Sequence, residues 1–338
     1  MSATGFEQSL SIEDFELPTP GPDQVLIEVE ACGVCYRDLI DRGGGFPFLQ
    51  LPITPGHEAA GRVIAVGPKS GGEHGFSVGD RVGTMHRDAC GACPSCLAGQ
   101  TSQCGGAAWV FGILVDGGYA THLVAPHSAL YALPDSLKGV EAAPLHCTFG
   151  TAYRDLATLG QLRAGERVLV TGANGGVGYA GVQIASRLGA DVVAVVRDAK
   201  HEARLRALGA DHVIVDAGSS FHQHPLLAQR RADLVLDAVG FSTFNSSLRS
   251  LRIGGRVVVV GNIVPQKFAL NLGFIITSGL TIIGGSGATP ADMRALLALH
   301  EARPFEIAIE EALPLDAADQ AQRRLKAGGV FGRLVLKP

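Results

Sequence analysis

Residues 168–178 carry the clearest structural pattern in this sequence: Val168-Leu169-Val170-Thr171-Gly172-Ala173-Asn174-Gly175-Gly176-Val177-Gly178. A short β-run enters a glycine-rich turn, and an apolar helical pattern follows at once, which is the context of a dinucleotide-binding loop. Glycines let backbone N–H groups approach a pyrophosphate, and a helix N-terminus favours its negative charge. We therefore expect a dinucleotide to be bound by Gly172, Gly175, Gly176, Val177 and Gly178.

Outward from this loop, the chain alternates between strands and helices. Strands are predicted at residues 167–171, 191–196, 212–215, 234–237, 257–261 and 281–284. Helices with apolar residues three or four apart are predicted at 178–188, 199–208 and 244–251. This alternation is typical of a doubly wound parallel sheet, so we expect a Rossmann domain over residues 136–289.

The chain before residue 136 has a different pattern, with short β-runs broken by glycine and proline turns, as at residues 25–29, 61–67 and 119–124. Short strands with many turns indicate a small barrel-like β-unit. Two helices near residues 291–301 and 317–326 lead to a last strand at 332–336. We expect that strand to return to the first unit, so residues 1–135 and 290–338 form the second domain of an α/β chain.

Composition excludes several classes of protein. The 338 residues are 46% hydrophobic and 18% charged, which suits about two folded domains and excludes a disordered chain. The 28 basic and 32 acidic side chains include no basic run, so we expect neither a nucleic acid nor a membrane as a partner. No signal-peptide pattern and no stretch of about 18 apolar residues occurs, so we expect a cytoplasmic protein.

Four of the seven cysteines lie close together with the spacing C-x2-C-x2-C-x7-C: Cys90, Cys93, Cys96 and Cys104. Four thiolates in a glycine- and proline-containing loop fit one closed tetrahedral Zn²⁺ site, whose role would be structural. An iron–sulfur cluster or an exposed redox loop is the alternative.

The end of the second predicted strand bears on the choice of nucleotide. An acidic side chain there binds the ribose hydroxyls of NAD, whereas a basic one accepts the 2′-phosphate of NADP. Here Val196 is followed by Arg197, which favours NADP(H). If Asp198 serves the ribose and Arg197 is only solvated, NAD(H) is favoured instead.

Further motifs are spread over the chain: Gly33-Val34-Cys35, Gly56-His57-Glu58, the four-cysteine loop, Asp116-Gly117-Gly118-Tyr119-Ala120, the glycine loop, Asp237-Ala238-Val239-Gly240 and Gly332-Arg333-Leu334-Val335. In these motifs the chain resembles the zinc-containing alcohol dehydrogenase type of the medium-chain dehydrogenase/reductase superfamily. The resemblance implies a GroES-like β-barrel catalytic domain beside the Rossmann domain, two Zn²⁺ per chain, a small-molecule substrate, and a homodimer or homotetramer.

The resemblance also implies residue roles. Cys35, His57 and Cys147 would be ligands of a catalytic zinc, with Glu58 as a neighbouring or exchanging ligand. Asp38 would orient the ligating histidine, unless it is only a surface helix residue. Cofactor contacts would come from Thr151 at the nicotinamide, from Val239, Gly261 and Asn262, and from Arg333 at the pyrophosphate; alternatively, Arg333 only pairs with surface acids.

The sequence departs from this family at Arg37, where such alcohol dehydrogenases usually carry Ser or Thr to pass the alcohol proton onward, and at Ile40, near the usual relay histidine. Arginine stays protonated and cannot shuttle a proton, although it can hold a carboxylate or phosphate. Solvent could deliver the proton, His146 or Tyr36 could substitute, or the reaction is not carbonyl reduction.

Three functions follow from these residues. The first is zinc-dependent, NADP(H)-preferring hydride transfer between nicotinamide and an alcohol or carbonyl. The second is NADPH-dependent C=C reduction of an enoyl thioester or enone, because residues 35–38, 261–265 and 270–273 are similar to a subgroup that includes acryloyl-CoA reductases. The third is a non-catalytic cofactor-binding or redox-sensing protein.

Overall fold

The computed structural model describes residues 10–45, 48–49, 51–69, 75–106 and 109–338. Its contacts divide the chain into two compact units, Met1–Cys147 with Ala308–Pro338, and Thr148–Ile307. Within the described residues, no helix is long and apolar enough to cross a membrane.

The first unit is built on a mostly antiparallel sheet of seven strands: β1 (Gln24–Val34), β2 (Ala59–Val66), β3 (Arg81–Thr84), β4 (His122–Pro126), β5 (Leu130–Ala132), β12 (Ile309–Pro314) and β13 (Arg333–Lys337). Their order is β12-β13-β1-β2-β3-β5, with β4 also paired to β1. The helices are α1 (Tyr36–Arg42), α2 (Pro94–Leu97), α3 (Gly139–Ala142) and α11 (Ala318–Ala327).

The core of this unit is lined by alternate residues of the long strand β1, including Val25, Ile27 and Val29, together with Leu334 and Leu336 of β13. β1 pairs antiparallel with β13 through Cys32 to Val34. The closing strand therefore returns to the first unit, as the sequence predicts, and it lies beside the segment that leads to Cys35.

The second unit is a parallel sheet of six strands: β6 (Arg167–Val170), β7 (Asp191–Val196), β8 (His212–Val215), β9 (Ala232–Asp237), β10 (Leu251–Val259) and β11 (Thr281–Gly284). The helices are α4 (Thr151–Tyr153), α5 (Gly176–Arg187), α6 (Glu202–Ala207), α7 (Pro225–Gln229), α8 (Phe244–Ser250), α9 (Leu272–Ser278) and α10 (Pro290–Ala302).

The strand order of the second unit is β11-β10-β9-β6-β7-β8, with every pair parallel. Counted from β6, this is the order 3-2-1-4-5-6 of a Rossmann sheet, and it confirms the predicted fold. The order reverses between β6 and β9. Ligands of such sheets bind outside the carboxyl ends of the strands at this switch point.

The unit boundaries lie further along the chain than the domain limits expected at residues 135 and 289. α3 packs against β1 and β2, so it extends the first unit. α10 belongs to the second unit because its Asp292 forms a buried ion pair with Arg154 at 2.8 Å. Neither tertiary contact is visible in the local sequence pattern that set the expected limits.

Candidate active site

The glycine loop lies between β6 and α5, at the switch point of the second unit. Gly172 adopts a left-handed backbone, with φ of 57°, and Gly175 is the N-cap of α5. A Cβ atom on Gly178 would lie 2.2 Å from the carbonyl oxygen of Gly172, so the helix starts directly against the turn. Because α5 is 12 residues long, its free N–H groups and dipole favour an anion at this end.

A second turn follows β9 and packs against the loop after β10. Gly240 has φ of 94°, and a Cβ atom there would lie 2.4 Å from the carbonyl oxygen of Gly261. A Cβ atom on Gly261 would lie 2.1 Å from the backbone of Ala238 and Val239. The predicted cofactor residues Val239, half-buried, and Asn262, exposed, therefore sit on two backbones in direct contact.

Asp237, the last residue of β9, organises this end of the sheet, and sequence reasoning assigned it no role. Its side chain is fully buried. Oδ1 accepts hydrogen bonds from the hydroxyls of Thr171 and Thr243 and from the N–H groups of Val239 and Gly240. The available signals were an acidic residue at the end of an apolar strand and its place in the Asp237-Ala238-Val239-Gly240 motif.

Two predicted cofactor residues lie elsewhere in the second unit. Arg197 follows β7 directly and is exposed, and it has no hydrogen-bond or ion-pair partner among the residues that the structure describes. Asp198, in contrast, accepts from the N–H of Lys200 and lies 3.3 Å from its Nζ. Thr151 is buried at the start of α4. The contacts of Arg197 and Thr151 with a cofactor stay predictions.

The four cysteines of the loop lie together, with all four sulfur atoms within 4.8 Å of one another. The Sγ atoms of Cys90 and Cys96 are 3.9 Å apart, and so are those of Cys93 and Cys104. Zn–S bonds of about 2.3 Å place tetrahedral sulfurs about 3.8 Å apart, so the set fits one zinc ion. Thiolates around a multi-iron cluster stand further apart, which favours zinc over that alternative.

A second cluster in the first unit joins residues far apart in the sequence: Cys35, His57, Glu58 and Cys147, whose ligand atoms also lie within 4.8 Å of one another. Sγ of Cys147 lies 3.8 Å from Sγ of Cys35 and 3.5 Å from Nε2 of His57. Two sulfurs and one imidazole at these separations fit a zinc ion that keeps a position open for water or substrate.

Asp38 holds His57 in the orientation that this cluster needs. Its Oδ1 accepts from Nδ1 of His57 at 2.9 Å, which leaves Nε2 for a metal. Its Oδ2 accepts from the N–H of Cys35 and from the Tyr119 hydroxyl, both at 3.0 Å. Asp38 is 3% exposed, so it lies inside the unit rather than on its surface.

Charge in the cluster is balanced by Arg333 on β13. Its Nη2 lies 2.9 Å from Oε1 of the fully buried Glu58, and 3.6 Å from Sγ of Cys35. Burial raises the pKa of Glu58 to about 7, although Arg333 opposes this shift. The resemblance places Arg333 at the pyrophosphate, and that contact stays a prediction. In the structure, Arg333 pairs with Glu58, which is a buried acid of the metal cluster and not a surface acid.

Arg37, the departure from the family pattern, turns its donors toward other groups. Its Nε lies 3.0 Å from Oδ2 of Asp41, and its Nη2 donates to the carbonyl oxygen of Phe111 at 2.6 Å. Asp41 is buried, and burial raises its pKa to about 6. The position that would carry a relay hydroxyl therefore carries a fixed cation.

Comparison with known proteins defines the class. Residues 21–135 match the alcohol dehydrogenase GroES-like domain, and residues 176–302 match the zinc-binding dehydrogenase family. The chain belongs to the zinc-containing alcohol dehydrogenase type of the medium-chain dehydrogenase/reductase superfamily, as its motifs indicated, and its relatives mark it as an oxidoreductase.

Among individual relatives, the acryloyl-coenzyme A reductase of Sulfurisphaera tokodaii is 34% identical, covering 99% of this chain and 98% of that protein. An alcohol dehydrogenase of Geobacillus stearothermophilus is also 34% identical, covering 98% and 97%. The crystal structure of AibC matches with a TM-score of 0.88 and 42% identity, covering 95% of this chain and 90% of that one.

Proposed function

We propose that the protein is an NADPH-dependent reductase of activated C=C bonds, acting on an α,β-unsaturated thioester or ketone, and that it holds zinc at Cys35, His57 and Cys147. The observation that carries this proposal is the position of Arg37. Hydride transfer between nicotinamide and an alcohol or carbonyl, which is the first function expected from the sequence, becomes the second candidate.

The argument rests on proton transfer. Interconversion of an alcohol and a carbonyl moves a proton to or from the substrate oxygen, and a hydroxyl beside the first zinc ligand serves that purpose. Arg37 stays protonated at any workable pH; its guanidinium is paired with Asp41, and its Nη2 donates to the Phe111 carbonyl. Reduction of C=C places its proton on carbon instead, so it needs no relay at this oxygen.

The relatives include enzymes of both candidate classes. The acryloyl-coenzyme A reductase of Metallosphaera sedula is 33% identical and covers 98% of this chain, beside the Sulfurisphaera protein above. Alcohol dehydrogenases match at similar identity, so identity alone does not choose. The resemblance of the Cys35-Tyr36-Arg37-Asp38 run to the acryloyl-CoA reductase subgroup is the observation that favours C=C reduction.

Residues of both units have defined tasks in this proposal. Bound NADPH would supply hydride, and bound zinc would act as a Lewis acid. Gly172, Gly175 and the start of α5 bind the pyrophosphate, and the exposed Arg197 guanidinium binds the 2′-phosphate. Asp38 orients His57, and Arg333 balances the buried charge of Glu58.

The second candidate, hydride transfer to or from an alcohol or carbonyl, is favoured by the complete Cys35, His57 and Cys147 ligand set. A site that keeps one coordination position open suits an oxygen ligand. Solvent would then have to supply the proton that Arg37 cannot carry.

Consumption of NADPH and NADH at 340 nm with crotonyl-CoA, an enone and a set of aldehydes separates the candidates. We expect turnover of the enoyl substrates with NADPH and little turnover of aldehydes. Arg37→Thr, which restores a hydroxyl, should raise the ratio of aldehyde to enoyl turnover. Faster turnover of aldehydes than of enoyl substrates by the wild type refutes the proposal, and nucleotide binding without any turnover supports a non-catalytic role.

We further infer that the chain forms homodimers or homotetramers in a reducing, cytoplasmic compartment. The edge strand β11 is unpaired on its outer side among the described residues, its Ile282 is 40% exposed, and Ile276 on α9 is 76% exposed. None of the seven cysteines forms a disulfide, which suits such a compartment. Ile276→Glu should lower the mass measured by light scattering, whereas Ile253→Glu, equally exposed at 77%, should not.

A further inference from the structure

We propose that Asp237 is the positioning residue of the dinucleotide site, because it holds together the three backbone segments at the switch point of the Rossmann sheet. The inference rests on the proposed function, since it assumes that a nicotinamide nucleotide binds there. Neither the glycine pattern nor the family motifs assign Asp237 a role.

The first segment is the entry to the glycine loop. The Thr171 hydroxyl donates to Oδ1 of Asp237 at 3.0 Å, and the same hydroxyl oxygen accepts from the N–H of Ala238 at 3.1 Å. Thr171 directly precedes Gly172. Thr171, the residue that follows β6, is therefore bound to the end of β9, which fixes the start of the phosphate-binding turn.

The second and third segments are the turn after β9 and the loop after β10. Oδ1 accepts from the N–H groups of Val239 and Gly240 at 3.1 and 3.0 Å. The carbonyl oxygen of Asp237 accepts from the N–H groups of Val260 and Gly261, both at 3.0 Å. Asp237 therefore fixes the positions of both loops, which carry Val239, Gly261 and Asn262.

The chemistry of the side chain shows why a carboxylate occupies this position. Asp237 is fully buried, and no cationic side chain pairs with it in the part of the chain that the structure describes. Its charge is met by five donors: two N–H groups and two hydroxyls on Oδ1, and the Ser247 hydroxyl on Oδ2 at 2.7 Å. A buried carboxylate without these donors would be strongly unfavourable. The Asp237 carboxylate therefore needs the N–H groups of the turn after β9, and that turn is in turn held by the carboxylate.

Substitutions can separate positioning from general stability. Asp237→Asn keeps an acceptor but removes the charge, and Thr171→Val removes two hydrogen bonds at nearly constant volume. Ser250→Ala is the matched control: it is also fully buried, it lies on α8, and its hydroxyl donates to the Ser246 carbonyl instead of to Asp237. The readouts are the dissociation constants of NADPH and of 2′-AMP, a fragment that reaches only the Arg197 end, and the melting temperature.

We expect Asp237→Asn and Thr171→Val each to weaken NADPH binding about tenfold, the equivalent of roughly 1.4 kcal/mol, while 2′-AMP binding changes less than twofold. Ser250→Ala should lower the melting temperature and leave both constants unchanged. If Asp237→Asn does not fold, Thr171→Val decides. Unchanged NADPH binding in the folded variants, or equal weakening of both ligands, overturns the inference; a wild type that binds no nicotinamide nucleotide refutes the proposed function instead.

Discussion

Replacing Gly178 by alanine tests how closely α5 must approach the glycine loop. The new Cβ atom would lie 2.2 Å from the Gly172 carbonyl oxygen and 2.7 Å from Cα of Ala173. Ordinary contacts begin at 3.4 Å, and both neighbours are backbone atoms that no side-chain rotation can move. The loop must therefore shift by roughly 1 Å, which is overpacking of the kind that costs about 1–3 kcal/mol.

The cost to folding and the cost to binding differ. Alanine is the better helix former by about 1 kcal/mol, so the net loss of stability is about 0–2 kcal/mol. The Gly172 carbonyl also accepts from the N–H of Gly175 at 2.9 Å, so a shift of the loop disturbs the N-cap of α5. Loss of one charge-assisted bond to a phosphate, worth about 2 kcal/mol, weakens binding about 30-fold.

Fluorescence titration with NADPH measures the effect, and Gly181→Ala on the same helix is the control. The nearest atoms to a Cβ atom there all belong to side chains, and the closest of them is Cδ2 of Leu236 at 2.7 Å. We expect Gly181→Ala to lower the melting temperature without changing the dissociation constant for NADPH. If Gly178→Ala binds NADPH as tightly as the wild type, the loop does not carry the pyrophosphate.

Three further predictions concern the metal sites and a buried acid. Cys104→Ser should release about one zinc per chain and lower the melting temperature, because structural zinc contributes directly to folding; elemental analysis showing unchanged zinc would contradict this. Asp38→Asn should weaken metal binding at the His57 site about 10–100-fold in chelator competition, and leave the four-cysteine site unaffected; equal effects on both sites would count against an orienting role. Burial raises the pKa of Asp155 to about 8, so the folded chain keeps a proton there that the unfolded chain releases above pH 4. The free energy of unfolding should therefore fall as pH rises from about 4 to about 8, by at most about 1.4 kcal/mol per pH unit from this group. In urea titrations at pH 5, 7 and 9, Asp155→Asn should gain stability relative to the wild type as pH rises, and a constant difference would show that Asp155 is already ionised.

Most of the sheet in the second unit is predictable, because its strands are short apolar runs bounded by turn residues. The expected strands at 191–196, 212–215 and 281–284 coincide with β7, β8 and β11. In contrast, β10 begins at Leu251, six residues before its expected start, because Arg252 to Gly255 read as a turn and tertiary pairing extends the strand. α9 (Leu272–Ser278), which is capped by Asn271, was missed as well, because an apolar run of seven residues is too short to show a helical period.

The candidate site is predictable only where its residues are close in the sequence. The spacing of Cys90, Cys93, Cys96 and Cys104 suffices to predict a metal site, whereas the Cys35 cluster needed resemblance to join its members. The roles of Asp237 and Arg333 depend on partners 66 and 275 residues away. Such contacts follow from strand order and not from local pattern, so sequence reasoning could name these residues without finding what they touch.

Helix α1 explains how the metal site and the proton relay can change independently. Adjacent residues on a helix point in different directions. Asp38 turns inward to His57 and the N–H of Cys35, whereas Arg37 pairs with Asp41 one turn later. An arginine at this position therefore leaves the presentation of Cys35 and His57 intact while it removes the hydroxyl. A chain that keeps the predicted zinc ligands but replaces the relay fits the proposed C=C reduction, whose proton goes to carbon, better than a reaction that moves a proton to or from an alcohol oxygen.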